Sequence, residues 1–386
     1  MLSQEPFYTP RARVLLGLTL AHLNAANAQK DGRSETLLAL AIEHFGEGAN
    51  EAMGRILRAA GPLVARASTR DPRPQLRAVA VGEILELGAA EDSVRAMEML
   101  HDPAIPVQVA AIEALGSKHV EAARVELLLR ARLGDDPVIR SAALDAIASL
   151  GGEGVLDAML LGLTSPVHAI KVAAARGHAR LGDPTAAPLL VSLLGQGRGS
   201  DVFEAARQGL IAMGDGATSD LLRAINTPGS RARREGALLL SQQGVPEAIP
   251  VLLALLTENP NDSLIASELA IVTCNDLRAS GNPSVAWWDW WEGVVHDNPN
   301  AWLCGALERL GVSAPKPEEL AKPGTRQGMR FLTLVMRRSE AHLVERARRD
   351  LGRLLGRELG VLPLPGDDRN LFIADLEREI AKRFPQ

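Results

Sequence analysis

The side chains best suited to chemistry are scattered. Histidines stand at 22, 44, 101, 119, 168, 178, 296 and 342. No two of them form His-x-x-x-His or His-Glu-x-x-His, so no helix face offers the paired imidazoles that hold a divalent metal. Cys274 and Cys304 have neither metal-ligand spacing nor a disulfide framework around them. They read as two reduced, partly buried thiols, which fits a reducing cytoplasm. There is no phosphate loop, no Gly-x-Gly-x-x-Gly after a strand and no nucleophile elbow. The residues therefore assign no catalytic group, cofactor or metal.

Two clusters are better suited to binding. All five tryptophans lie between Trp287 and Trp302, four of them at 287, 288, 290 and 291. On a helix 287, 290 and 291 share a face while Trp288 turns away, so Trp288 is expected outside. Tryptophan and arginine dominate interface hot spots. Residues 326–357 carry nine arginines against three acids. Arg337, Arg338, Arg348 and Arg349 among them, with Trp287, Trp288 and Trp291, form one candidate partner surface. Such arginines suit an acidic protein or a phosphate backbone. The net charge of −5, from 42 basic and 47 acidic residues, argues against a dedicated nucleic-acid binder.

The elements that must position these residues come from a repeat. Related segments begin near Leu76, Val107, Asp136, Ile170, Phe203 and Arg233. One aligned column reads Arg77, Gln108, Arg140, Lys171, Phe203 and Arg233, at steps of 31, 32, 31, 32 and 30 residues. The closing column reads Gly88, His119, Gly151, Gly182, Gly214 and Gly244 with the same steps. In the segment DPVIRSAALDAIASLG (136–151), Asp caps the helix and Pro suits its first turn. A closing Gly accepts the left-handed conformation that ends it, and the Ala-Ala pair keeps the contact face flat. Shorter amphipathic helices, such as Val155–Leu163, alternate with these, so each unit is a helical hairpin.

The pattern Asp-Pro-x-Val/Ile-Arg-x-Ala-Ala-x-x-Ala resembles the second helix of HEAT repeats, in particular the short bacterial kind also found in phycobilisome-lyase-like proteins. The match is best over 71–275. It implies an all-α fold, an armadillo-type α-solenoid winding as an α-α superhelix, with the second helices lining its concave face. It also implies a structural ladder in which Arg77, Arg140, Lys171 and Arg233 pair with turn aspartates, broken at Gln108 and Phe203. A concave column would then read Gly82, Glu113, Asp145, Arg176, Gln208 and Leu238, drifting from acidic to basic, and Glu113, Asp145 and Arg176 become candidate partner contacts. The segment TCND…SVAWWDWWEG resembles the terminal repeat of bacterial HEAT proteins, with Cys274 where that pattern has Gly. Some HEAT-like proteins are di-iron hydroxylases, glycosylases or phycobilin lyases. This chain has no His-Glu dipeptide, and nothing beyond the repeat itself points to a chromophore.

Domain organisation follows. Residues 1–88 read as irregular capping hairpins, 89–275 as regular repeats and 276–312 as a Trp-rich repeat. A Pro/Lys-rich linker occupies 313–325, and 326–386 form a C-terminal hairpin with a capping helix. Arg11 and Arg13 before Val14–Leu23 resemble a secretory signal, but Glu5, Gly17 and His22 interrupt the pattern, which reads instead as a first solenoid helix. No apolar run is long enough to span a bilayer. The expected function is a scaffold that binds a protein partner on its concave face or its C-terminal Trp/Arg region, with nucleic-acid binding as the alternative.

Overall fold

The structure is a computed structural model and describes residues 49–320, 326–337 and 340–384. The expected first hairpin, the signal-like segment and Arg338 lie outside these residues. Every regular element among them is a helix. Few aromatics and abundant Ala and Leu favour this outcome.

The described chain divides into two compact units, one running to Leu190 and including Arg198–Met213, the other comprising Val191–Gly197 and everything from Gly214 onward. The first unit holds α1 (Ala49–Ala60), α2 (Pro62–Ser68), α3 (Pro74–Glu86), α4 (Ala90–Glu98), α5 (Ile105–Ser117) and α6 (Arg124–Leu133). It continues with α7 (Pro137–Leu150), α8 (Val155–Leu163) and α9 (His168–Leu181). Helix α10 (Ala187–Leu193) straddles the division, and α11 (Asp201–Met213) belongs to the first unit. The second unit holds α12 (Thr218–Asn226), α13 (Arg233–Gln242), α14 (Ile249–Glu258), α15 (Ser263–Thr273), α16 (Pro283–Val294) and α17 (Pro299–Arg309). After these come the single turn α18 (Pro317–Leu320), then α19 (Arg326–Met336), α20 (Ala341–Leu355) and α21 (Asp367–Arg383).

In the first unit the second helices α3, α5, α7, α9 and α11 each pack on the next, which is the stacking of an α-solenoid. Their small residues make this possible. Ala111, Ala143, Ala174 and Ala206 are all fully buried. At Gly116 the approach is closest, since an added Cβ would lie 2.6 Å from the Cβ of Ala146 on α7. Ile112 and Leu115 on α5 and Leu144 and Ile147 on α7 are also fully buried.

The closing column is a column of backbone geometry. Gly88, His119, Gly151, Gly182, Gly214 and Gly244 all have positive φ, and the next step reaches Cys274, also left-handed at φ 53°. The turn at Cys274 thus keeps the shape that Gly would give it, at a steric cost to a Cβ-bearing residue. Asp136 caps α7 by accepting from the backbone N–H of Val138 at 2.8 Å and of Ile139 at 3.2 Å. Asp262 caps α15 in the same way.

Candidate partner-binding surfaces

The arginine column meets its turn aspartates unevenly. Arg77 on α3 donates to both oxygens of Asp102 at 2.8 Å, and to the Asp71 carbonyl at 2.8 Å. That pairing holds the Asp102 carboxyl below the usual carboxylate range. Gln108 donates instead to the Asp102 carbonyl at 2.7 Å, so the position still ties to that turn without a charge. Arg140 donates to the carbonyl of Ala131 at 3.0 Å, and Lys171 is half-buried. Arg233 pairs with Glu258, at 3.0 Å on the surface, and with no turn aspartate among the described residues. The bidentate contact to a turn aspartate is made by its neighbour Arg234, to Asp262 at 2.7 and 3.1 Å. Helix α13 begins at Arg233 itself, without the Asp-Pro lead found at 71–72, 102–103 and 136–137, so the working arginine slips by one residue.

In the first unit Glu113, Asp145 and Arg176 come together on the successive helices α5, α7 and α9. Arg176 donates to one oxygen of Asp145 at 2.6 Å, while the other, Oδ1, is buried with no partner among the described residues. Arg180 holds the backbone of the same site by donating to the Asp145 carbonyl at 3.0 Å. Partial burial, and then the Asp145 charge, push the Glu113 carboxyl above its usual range. The pair is therefore short of positive charge.

The same register continues in the second unit. A further step of 30 residues from Leu238 reaches Glu268 on α15, which is 4% exposed. Here the acid is covered. Helix α20 lies against α15, and Arg349 donates to both oxygens of Glu268, at 2.6 and 3.0 Å. Ser241 of α13 donates to the same carboxylate at 2.6 Å. Arg346, 8% exposed at its side chain, donates to Asp350 at 2.8 Å and to the Val272 carbonyl at 2.6 Å. Arg353 pairs with the other oxygen of Asp350. Arg348 forks onto Glu345 at 2.7 and 2.8 Å, and these arginines hold the Glu345 carboxyl down although burial alone would raise it. Arg337 pairs with Glu377 at 2.9 Å and Arg357 with Glu379 at 2.5 Å. The Arg-rich segment, read in sequence as a free surface, is largely engaged within its own unit.

The tryptophans divide three ways. Trp287 is fully buried and donates its indole N–H to the Asn275 carbonyl at 3.3 Å. Trp288, expected outside, is half-buried and donates to the Thr257 hydroxyl at 3.2 Å. Helix α16 packs on α14, which brings Thr257 to it. Trp290 and Trp291 meet Trp302 edge-on, with centroids 5.4 and 6.0 Å away. Residues of the expected linker also pack locally, for Cys304 donates to the Pro315 carbonyl at 3.3 Å and Leu320 is buried.

The remaining reactive groups are muted by burial. The Cys274 thiol is pushed up to about 12, chiefly by burial, and burial raises Cys304 too, so thiolate chemistry is suppressed at both. His178 is fully buried, with neither ring nitrogen partnered among the described residues. Among the described residues no group of His, Cys, Asp and Glu could hold a metal ion, and no helix is long and apolar enough to cross a membrane.

An α-solenoid of short hairpins is thus the class that the fold defines. Residues 121–211 match the family described as HEAT repeats. Among solved structures it is similar to the complex of CpcE and CpcF of phycocyanin lyase from Nostoc sp. PCC7120. That likeness has 18% identity and a TM-score of 0.34, and covers 75% of this chain and 94% of that one. It is also similar to an engineered protein, at 17% identity and a TM-score of 0.44 over 86% of this chain and 98% of that one. No curated protein matches the sequence.

Proposed function

We propose that this chain is a non-catalytic scaffold in a reducing cytoplasm, and that its partner docks a basic helical segment on α5, α7 and α9 at Glu113 and Asp145. HEAT repeats are typical of protein-interaction scaffolds, and stacked hairpins present an extended surface that needs no catalytic group. The observation that carries the reading is internal to the second unit. There the same register position, Glu268, is occupied by an arginine-bearing helix through the bidentate contact from Arg349. In the first unit the Asp145 side chain stays 27% exposed, and Glu113 is exposed with no ion pair reaching it among the described residues. Basic side chains from a partner helix would supply the missing charge, and such contacts favour bidentate arginine.

The test is capture from native extract, comparing wild type with Glu113→Lys/Asp145→Lys. A protein retained by wild type and lost by the variant, carrying a basic helix whose isolated peptide binds the wild type alone, supports the reading. Retention of the same protein by both moves the docking site elsewhere. Retention of nucleic acid alone, weakening steeply between low and moderate salt, overturns it.

A further inference from the structure

Helix α20 does more than cover Glu268. Between it, the C-terminal ends of α13 and α15, and the start of α17 lies a small open cleft. Three guanidinium groups line it, those of Arg346, Arg349 and Arg353, together with Asp350, Ser241 and Trp302. Arg346 is 8% exposed at its side chain, Arg349 is 15% and Arg353 is 38%, so the arginines run from floor to mouth.

Charge within this cluster does not cancel. Arg346, Arg348, Arg349 and Arg353 meet three carboxylates, Glu268, Glu345 and Asp350. One positive charge is left over, with the arginine side chains running from 8% exposed at Arg346 to 38% at Arg353. Burial, and then Arg346 and Arg349 beside it, hold the Arg353 guanidinium below its ordinary range despite the opposing pull of Asp350. Donors are also in surplus, for Nη2 of Arg346 and Nε of Arg353 meet no acceptor among the described residues. Trp302 lines the same cleft at 7% exposure, with its indole Nε1 buried and unpartnered.

We infer that this cleft is a binding site for a tetrahedral oxyanion of the phosphate class, held by Arg346, Arg353 and the indole N–H of Trp302, with Arg349 adding its charge alongside. Glu268 and Glu345 already engage every nitrogen of Arg349, whereas Asp350 takes a single nitrogen from Arg346 and one from Arg353. The donors left over come from three separate side chains, and a tetrahedral group with three terminal oxygens can accept from all three. Gly244 shapes the entrance, since a Cβ there would lie 2.0 Å from an Arg353 nitrogen. The site is independent of the scaffold reading and of Glu113 and Asp145. The oxyanion has two possible sources, a free ion or a phosphate carried on a peptide.

The experiment titrates the full chain with inorganic phosphate, following heat of binding and melting temperature, against chloride at matched ionic strength. Wild type should bind phosphate saturably and melt higher. Arg353→Gln should weaken that binding at least ~10-fold, because a charge-assisted donor is lost. Arg353→Lys, which keeps charge without the fork, should fall between the two. Arg378→Gln, on a side chain that is 76% exposed, should bind as wild type. A phosphoserine tripeptide binding more tightly than inorganic phosphate assigns the peptide-borne source, and the reverse order the free ion; either supports the site. No stabilisation by phosphate beyond that of chloride overturns the inference, as does wild-type affinity in a folded Arg353→Gln.

Discussion

Asp145 and Glu268 occupy the same position of the repeat and live in opposite circumstances. Asp145 sits on α7 with its side chain 27% exposed, one oxygen on Arg176 and the other unpartnered. Glu268 sits on α15 at 4% exposure, with both oxygens on Arg349 and one also on Ser241. The difference lies in what the chain supplies. For Asp145 the partner comes from the neighbouring repeat, 31 residues on, whereas for Glu268 it comes from a separate helix, 81 residues on. A repeat position thus sets where an acid points, and distant sequence sets whether it is internal glue or open surface.

The largest way to break this comparison is Glu268→Ala. It leaves Arg349 with only Glu345 and adds to the surplus charge already in the cleft. Removing one partner of a buried pair costs about 3–5 kcal/mol. Urea unfolding should show a loss of that size in the second unit, with faster proteolysis at α20. Asp145→Ala should cost far less, because Arg176 is 48% exposed and can turn to water. Equal losses at the two sites would erase the distinction.

Next in size is Gly116→Ala, which tests the stack that carries the open column. The added methyl meets the Ala146 backbone as well as its side chain, with its Cα at 2.7 Å. Helices α5 and α7 would have to separate, at a cost of about 1–3 kcal/mol. Thermal unfolding of Gly116→Ala beside the open-surface Gly82→Ala, which meets nothing within 4 Å, measures the difference.

The repeat was legible in sequence because it is made by backbone rules that recur. All six closing positions adopt positive φ, including His119, where no glycine advertises it. The joining of Glu113, Asp145 and Arg176 was legible for the same reason, being one step per repeat. The second-unit cluster was not. Arg349 and Glu268 share no period, and nothing in the run of nine arginines says which of them turn inward. Charge counted along a segment overstated the free positive surface, because Glu268, Glu377 and Glu379 come from other helices. The tryptophan spacing put 287, 290 and 291 on one face, but Trp287 reaches the core while the other two lean on Trp302. Helical spacing gives direction, and the depth of the neighbour decides burial.

A pH scan sharpens the picture of the first unit. Burial holds the His178 imidazole below its ordinary value of about 6.5. The folded state therefore favours the neutral ring, while the unfolded chain takes up a proton as pH falls through that value. His178 contributes stability above about pH 6.5 that is lost progressively below it. The melting temperature of the wild type should fall over that window, and His178→Leu should flatten the fall. A slope unchanged by the substitution would place the titrating group elsewhere.

The smallest expected effect is the most telling for the open surface. Burial and then the Asp145 charge raise the Glu113 carboxyl above its ordinary value of 4.5. A raised carboxyl favours the fold where it is protonated, and that contribution disappears as pH rises through the folded value. At neutral pH the charged Glu113 is thus a mild liability. Glu113→Gln should stabilise the first unit by no more than ~0.5 kcal/mol, as for an exposed substitution, and the gain should vanish below pH 4.5. The same change should weaken a basic partner. A residue that costs stability alone and gives affinity in complex is what an interaction surface requires, whereas a structural acid such as Glu268 would lose stability on neutralisation. If Glu113→Gln destabilises the unit at pH 7, Glu113 belongs with Glu268 and the open column closes.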